Sequence, residues 1–178
     1  GVSACATCDG FFYRKKTVAV VGGGDTACEE ATYLAGICKK VYMIVRRDVL
    51  RASEAMQERV RNTENIEVLW NCNTQEVLGD EYGVTGARLV RKDGEVFDIA
   101  VDGFFLAIGH HPNSDLFKEW IEVDKEGYIV TDGKTSKTNV PGVFAAGDVQ
   151  DPLYRQAITA AASGCRAALD AEKFLKML

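Results

Sequence analysis

The pattern of apolar and polar positions predicts a strand, a helix and a second strand near the start of the chain. The runs TVAVV at Thr17–Val21 and KVYMIV at Lys40–Val45 are short and rich in β-branched residues, which is typical of buried parallel strands. Between them, residues 25–34 carry apolar positions at helical spacing, with Glu29 and Glu30 on the polar side. This order predicts a βαβ unit.

Shorter elements follow the βαβ unit. A polar helix is predicted to begin at Ser53, with Glu54 in its first turn. The strand candidates are residues 66–69, 75–78, 86–91 and 95–101, and Asp93-Gly94 is a hairpin signal between the last two. We expect these four strands to form an antiparallel meander. Residues 102–108 then predict one further core strand.

The last third of the chain has a different pattern. Residues 111–114 are typical of a linker, and short strands are predicted at residues 128–131 and 143–145. An alanine-rich helix is predicted from about Leu153 to the end. The fold class is therefore α/β, with a Rossmann-like domain that carries a β-meander over residues 1–111 and part of a second domain over residues 112–178.

Composition narrows the function. The chain has 178 residues, of which 47% are hydrophobic and 26% charged, so it is expected to fold around a core. A net charge of −5 argues against nucleic-acid binding, which needs a dominant basic surface. No apolar run approaches the roughly 20 residues of a membrane span. Only Cys5 and Cys8 of the six cysteines are closely spaced, which favours a reducing compartment, the cytoplasm.

The segment G-G-G-D-T-A at residues 22–27 fits the dinucleotide fingerprint G-x-G-x-x-G/A. Gly22 permits the tight turn, Gly24 lets the backbone approach a pyrophosphate, and Ala27 allows close packing of helix on strand. The helix that begins near Asp25 would direct its free amides at the phosphates. The alternative is an ordinary glycine-rich turn, but the position between a strand and a helix favours dinucleotide binding.

Arginines follow the second strand of the βαβ unit. An NAD site usually has Asp or Glu at this position, whereas this chain has Arg46 and Arg47, with Arg51 close behind. Guanidinium groups pair well with the oxygens of a 2′-phosphate. The sequence therefore favours NADPH over NADH, with a solvated basic surface as the alternative.

The spacing of Cys5 and Cys8 suits a redox dithiol or half of a zinc site. No second CxxC exists, and the only histidines are His110 and His111, so zinc is disfavoured. A structural disulfide is a further alternative, although so small a loop would stabilise the fold little. Asp9 is either a surface or capping carboxylate, or an acid that delivers a proton to a thiolate or a reduced flavin.

Several motifs together resemble one family. CATCDGFFY, VVGGGDTACEEA, RRDVLRA, AIGHHPN, PGVFAAGDV and YRQAITAAASGCRAAL occur in an order similar to that of the low-molecular-weight (bacterial-type) thioredoxin reductases. The resemblance implies a cytoplasmic homodimeric flavoenzyme. Electrons would pass from NADPH to FAD, then to the cysteine pair, and finally to thioredoxin.

The resemblance also implies roles for particular residues. Cys8 would face the flavin, Cys5 would attack the thioredoxin disulfide, and Asp9 would be the acid. NADPH would lie at Gly22, Gly24, Asp25, Thr26 and Ala27 (pyrophosphate), at Arg46, Arg47 and Arg51 (2′-phosphate), and beside Gly109 and His110. FAD would lie at Asp148, Arg155, Gln156 and Ala157. Residues 1–111 would be the NADPH-binding domain, and residues 112–178 the C-terminal portion of the FAD-binding domain.

Two departures from the family pattern matter. Family members usually have His where this chain has Val45, but both following arginines are present. The N-terminal FAD segment with its own GxGxxG is absent, and the chain has no initiating methionine, so we expect a fragment that is inactive alone. The alternatives are an inert NADPH-binding fragment and the flavoprotein reductase of a peroxiredoxin system, which usually has Pro-His between its cysteines.

Overall fold

The structure, a computed structural model, describes residues Gly1–Leu178, and the chain divides into two compact units, Gly1–Gly109 and His110–Leu178. The first unit combines a parallel sheet, an antiparallel sheet and three helices. Its elements in chain order are β1 (Val2–Ser3), α1 (Ala6–Asp9), β2 (Thr17–Val21), α2 (Asp25–Ala35), β3 (Lys40–Val45), α3 (Glu54–Arg61), β4 (Ile66–Trp70), β5 (Cys72–Asp80), β6 (Gly83–Arg91), β7 (Val96–Ala100) and β8 (Gly103–Leu106).

The parallel sheet has five strands in the order β1-β8-β2-β3-β4. The βαβ unit predicted from the sequence is confirmed, since β2 and β3 pair in parallel on either side of α2 in the chain. The expectation that residues 66–69 belong to the meander is wrong. They form β4, which pairs in parallel with β3 through Met43 and Val68. The crossover through α3 returns the chain in the same direction, which an antiparallel partner would not allow.

The antiparallel sheet is a meander of three strands in the order β5-β6-β7. The Asp93-Gly94 hairpin between β6 and β7 is confirmed, with Val90 opposite Val96. β5 is longer than predicted because two register irregularities interrupt its apolar alternation, one between Thr74 and Glu76 and one beyond Leu78. A strand pattern read at period two therefore finds only its middle.

The parallel sheet is covered on both faces. Val18 and Val20 of β2 belong to one core cluster, which also contains Ala31 and Leu34 of α2. Ala19, between them in the chain, belongs to a second cluster, which contains residues of the meander. The period of two in a strand thus sends alternate side chains to α2 and α3 on one face and to the antiparallel sheet on the other. Each fully buried large apolar side chain contributes about 1.5–3 kcal/mol to the stability of the folded state.

The second unit contains one long helix, α4 (Ala157–Leu175), and a 3₁₀ turn at Gly147–Val149. The strands predicted at residues 128–131 and 143–145 are wrong, because only isolated bridges form there, from Ile129 to Val123 and from Phe144 to Lys137. No helix in the structure is both long enough and apolar enough to cross a membrane.

The predicted start of the C-terminal helix at Leu153 is also wrong, since α4 begins at Ala157. The Asp151 carboxylate accepts hydrogen bonds from the amides of Leu153 and Tyr154, both at 2.9 Å. This turn gives the backbone an alternative to helical hydrogen bonding over these residues. Elsewhere in the second unit, Ser136 donates hydrogen bonds to the Asp170 carboxylate from its amide (2.9 Å) and its hydroxyl (2.7 Å). These bonds tie the loop that contains Ser136 to α4.

Candidate functional site

A cleft of about 770 Å³ lies in the first unit, where β2, β3 and β8 end. In the strand order, β3 lies on one side of β2 and β8 on the other, so the carboxyl ends of β2 and β8 flank a topological switch point, where α/β sheets bind ligands. The sequence-predicted residues that line the cleft are Gly22, Gly24, Thr26, Arg46, Arg47, Arg51 and Gly109.

The two glycines of the fingerprint stand in different environments. Gly22 has φ +146°, and a methyl group there would overlap the Ala107 carbonyl oxygen and approach the Ala27 Cβ to 2.8 Å. Gly24 is the N-cap of α2, and a methyl group there would meet no atom within 4 Å. Gly22 is therefore required by the fold itself, whereas the space beside Gly24 belongs to the cleft.

Ala27 and Asp25 do not line the cleft. Ala27 is fully buried against β2, where its small side chain allows α2 to lie close to the strand. The Asp25 carboxylate accepts hydrogen bonds from the amide (2.9 Å) and hydroxyl (2.8 Å) of Ser53. These hydrogen bonds lower the pKa of Asp25. Asp25 thus fastens the loop after β3 to the start of α2.

That loop holds three arginines beside the glycine turn. The Arg51 amide donates to the Gly23 carbonyl at 2.6 Å, which adds to the anchor between Ser53 and Asp25. The side chains of Arg46, Arg47 and Arg51 are exposed, and none forms an ion pair in the structure. Three unpaired guanidinium groups at one end of a cleft provide a site for a multiply charged anion.

Sequence reasoning missed the side of the cleft that comes from the meander. Asn73 and Thr74 of β5 line it, together with Val49 and Ile108. The Thr74 hydroxyl is buried and has no hydrogen-bond partner. Nothing in the local sequence pointed to Asn73 and Thr74, because their place depends on how the meander packs on the parallel sheet.

Cys5 and Cys8 form a disulfide at the start of α1, with their Cα atoms 5.3 Å apart. The Cys5 sulfur is also the N-cap of α1, since it accepts a hydrogen bond from the Cys8 amide at 3.1 Å. The Thr7 hydroxyl lies 3.4 Å from the same sulfur. These two polar neighbours would stabilise a thiolate on Cys5 once the disulfide is reduced.

The other four cysteines have no comparable setting. Cys28, Cys38 and Cys72 are buried, and Cys165 is exposed on α4. Burial raises the pKa of Cys28 and of Cys38 to about 11, so both thiols are protonated at neutral pH. The pair formed by Cys5 and Cys8 is the single disulfide of the structure.

Asp9 is the last residue of α1, and its carboxylate accepts a hydrogen bond from the Ser3 hydroxyl at 2.6 Å. Ser3 also accepts a hydrogen bond from the Cys5 amide at 3.0 Å. The carboxylate after the cysteine pair is thus half-buried and anchored rather than free on the surface. Nearby, the side chains of Phe11 and Phe12 are 69% and 73% exposed, which gives the segment an apolar surface.

The remaining predicted site residues lie in the second unit. Asp148 lies in the 3₁₀ turn and is exposed, as is His110. Arg155 donates to the Tyr128 hydroxyl and, at 2.8 Å, to the Pro152 carbonyl, while its Nε is buried without a partner. Gln156 caps α4 through reciprocal hydrogen bonds with Thr159, and Ala157 is the first helical residue.

Comparisons with known proteins identify one family and relatives that carry two different names. A family model described as pyridine nucleotide-disulphide oxidoreductase matches residues 1–164. A thioredoxin reductase of Coxiella burnetii is 53% identical over 186 residues, which covers 100% of the chain and 58% of that protein. A protein named glucosaminate ammonia-lyase, from Pseudomonas fluorescens, is 54% identical over 182 residues, with 98% of the chain and 57% of that protein covered.

A solved structure gives a similar result. The crystal structure of thioredoxin reductase from Streptococcus pyogenes matches with a TM-score of 0.90 at 38% identity, and covers 100% of the chain and 58% of that protein. The chain therefore spans little more than half the length of the relatives that it matches.

Proposed function

We propose that this chain, which belongs to the pyridine nucleotide-disulphide oxidoreductase family, works in an NADPH-dependent thioredoxin reductase. One observation carries the proposal. A single 109-residue unit contains both a disulfide whose Cys5 sulfur caps α1 and a cleft with three unpaired arginines. An enzyme that moves electrons from a nicotinamide cofactor to a protein disulfide needs both. The activity proposed is that of the whole enzyme.

The residues of the cleft fit NADPH. The volume of the cleft lies within the roughly 300–1,000 Å³ of common cofactor sites. The open space at Gly24 and the free amides at the start of α2 would receive the pyrophosphate, with Thr26 beside them. Arg46, Arg47 and Arg51 would hold the 2′-phosphate. Asp25 and Ala27 would support this site by fixing the loop after β3 and the helix α2. Gly109 and His110, which come after β8 in the chain, would lie beside the nucleotide.

The second unit would contribute to an FAD site through Asp148, Arg155, Gln156 and Ala157. Two of these residues have groups without a partner that fit a polar ligand, namely the exposed Asp148 carboxylate and the buried Arg155 Nε. Bound FAD would supply a two-electron relay between the nicotinamide and the disulfide. In this proposal residues 1–111 are the NADPH-binding domain, and residues 112–178 are part of the FAD-binding domain.

The chemistry of the cysteine pair follows from its polar setting. The Cys5–Cys8 disulfide takes up two electrons and two protons and becomes a dithiol. The Cys5 thiolate attacks the disulfide of thioredoxin, which forms a mixed disulfide and displaces one thioredoxin sulfur as a thiolate. Cys8 then attacks the Cys5 sulfur, which restores the disulfide and releases the second thioredoxin sulfur. The two protons of the dithiol end on thioredoxin, and Asp9 carries one of them.

The exposed Phe11 and Phe12 offer a protein substrate an apolar surface next to the disulfide. We further propose that the enzyme is a cytoplasmic homodimer, as the family resemblance implies. A redox-neutral elimination of ammonia, the reaction in the name of one relative, gives the cysteine pair no role. The residues between the cysteines, Ala6 and Thr7, differ from the Pro-His usual in peroxiredoxin-system reductases.

Single substitutions of the cysteines test the proposal. In the FAD-loaded enzyme that contains this chain, Cys5→Ser and Cys8→Ser should each abolish NADPH-dependent reduction of thioredoxin, because no exchangeable disulfide remains. FAD content, measured by absorbance, should stay at the level of the parent. The matched control is Cys165→Ser, since this thiol is exposed and outside the disulfide. Normal turnover in either single variant would refute the assignment.

A further inference from the structure

We propose that Ser3 is a positioning residue that holds the nucleophile and the acid of the disulfide site in register through one hydroxyl group. The proposal deepens the proposed function and rests on it. No role was assigned to Ser3 by its sequence motif, since it lies outside both CxxC and the glycine turn.

The Ser3 hydroxyl lies at the centre of the contacts around α1. It donates to the Asp9 carboxylate at 2.6 Å and accepts from the Cys5 amide at 3.0 Å. Its oxygen also lies 3.3 Å from the Cys5 carbonyl oxygen. A hydrogen bond from a hydroxyl to a carboxylate is charge-assisted and stronger than a neutral one. One side chain therefore contacts both ends of the four-residue helix that carries the disulfide.

Ser3 is itself held by the parallel sheet. It is the second residue of β1, and its backbone pairs with Phe105 of β8, which is fully buried. The hydroxyl thus starts from a backbone that the core fixes. This anchoring gives Ser3 a stable reference position from which to orient Cys5 and Asp9.

The helix α1 needs such an anchor because it is only one turn long. Its own backbone bonds are those of Asp9 to Cys5 (3.1 Å) and of Gly10 to Ala6. A single helical turn is unfavourable by itself in water, since nucleation costs more than one hydrogen bond returns. Breaking the Cys5–Cys8 bond on reduction removes a further restraint. The Ser3 hydroxyl is a side-chain link between α1 and β1 that does not itself depend on the disulfide.

Thiol exchange requires this register. As Cys5 leaves the dithiol to form the mixed disulfide, a proton must pass from the pair to the departing thioredoxin sulfur. The distance between the Cys5 sulfur and the Asp9 carboxylate sets how readily that transfer occurs. Ser3 touches neither the substrate nor the reacting sulfurs, so it acts through Cys5 and Asp9.

The test compares Ser3→Thr with Ser3→Val in the FAD-loaded enzyme that contains this chain. The two variants have the same shape and differ by the hydroxyl, and both suit a strand position. Ser3→Thr should keep kcat for thioredoxin reduction within about twofold of the parent, whereas Ser3→Val should lower it about tenfold, the effect of one lost charged hydrogen bond. KM for thioredoxin should be equal in both, because the apolar docking surface is unchanged.

A second measurement does not depend on turnover. In the reduced chain, alkylation of Cys5 by iodoacetamide at neutral pH should be about threefold slower in Ser3→Val than in Ser3→Thr. The reason is that Ser3→Val no longer holds Cys5 in place against the Cys8 amide and the Thr7 hydroxyl, which stabilise its thiolate. A control for general effects is Thr135→Ala, which removes another hydroxyl that donates to a carboxylate at 2.6 Å, that of Asp132. This variant should match the parent in both measurements.

The outcomes separate the two proposals. Equal kcat and equal alkylation rates in Ser3→Thr and Ser3→Val would overturn the role of Ser3, even in an active enzyme. If the parent enzyme reduces no disulfide with NADPH, the proposed function fails, and the alkylation rates still decide whether Ser3 positions Cys5. A drop in unfolding temperature common to both variants, with equal rates, would show that Ser3 only supports the fold, which also overturns the proposal.

Discussion

Gly22 and Gly24 belong to one motif, yet substitution by alanine should damage different properties. At Gly22 the backbone has φ +146°, which costs a residue with a side chain about 1–3 kcal/mol. The new methyl group would also press on the Ala107 carbonyl oxygen at the end of β8, an overpacking cost of about 1–3 kcal/mol. Gly22→Ala should therefore destabilise the chain by roughly 2–6 kcal/mol.

At Gly24 the same change should have little effect on folding. Its φ of −95° and ψ of −177° are open to any residue, and the added methyl group meets no atom within 4 Å. Alanine is a poorer N-cap than glycine by about 0.5–1 kcal/mol, and the reduced freedom of the unfolded chain offsets about 0.4–1 kcal/mol. The methyl group does, however, enter the cleft, so NADPH affinity should fall by about tenfold or more, which is at least 1.4 kcal/mol.

Two measurements on the 178-residue chain separate these effects. Thermal unfolding followed by far-ultraviolet circular dichroism should show a fall of about 4–24 °C for Gly22→Ala, at roughly 2–4 °C for each kcal/mol in a chain of this length, and little change for Gly24→Ala. Calorimetric titration with NADPH should show weaker binding in Gly24→Ala at a temperature where it is folded. Parent-like unfolding of Gly22→Ala, or parent-like NADPH affinity of Gly24→Ala, would refute the reasoning for that glycine.

Two further substitutions test the charges of the first unit. Replacing Arg46 and Arg47 together by alanine should weaken NADPH binding about tenfold and leave NADH binding within about twofold, because only NADPH has a 2′-phosphate. The control is Arg14→Ala, an exposed arginine outside the cleft, and an unchanged preference in the double variant would place the 2′-phosphate elsewhere. Glu30→Gln should stabilise the chain at pH 7, since burial raises the pKa of Glu30 and ionisation of this carboxyl opposes folding. The folded pKa lies above the unfolded one, so the parent loses stability as pH rises through the folded pKa, and the advantage of Glu30→Gln should vanish below the ordinary glutamate pKa of about 4.3. Urea unfolding across this pH range measures the difference, and a less stable Glu30→Gln at pH 7 would contradict the prediction.

Local signals predicted the parts of the fold that depend on neighbours in the chain. The runs that became β2 and β3, the helix between them and the Asp93-Gly94 turn are each encoded within a few residues. The partner of β4 is not encoded locally, because a short apolar run fits either a parallel or an antiparallel neighbour. Near the C-terminus, hydrogen bonds of the Asp151 side chain replaced the helix that composition favoured.

The site divides in the same way. The CxxC pair, the glycine turn and the arginines could be found from spacing, since each depends on a few consecutive residues. The links of Ser3 to Asp9 and of Asp25 to Ser53 could not, because they join residues 6 and 28 positions apart through side chains. The same holds for Asn73 and Thr74, which reach the cleft only because the meander packs beside β8.

By itself, the sequence determined which chemistry this chain carries: a cysteine pair, a phosphate-binding turn and a cluster of arginines, each written in adjacent residues. Only the tertiary structure decided how these groups are held. It sets Gly22 as a requirement of packing and Gly24 as open space, and it places the Ser3 hydroxyl between Cys5 and Asp9. The physical reason is that residue type and spacing fix which reactive groups are present and which local conformation they adopt. Distances between atoms that are far apart in the sequence arise only when the sheets and helices pack around a shared core.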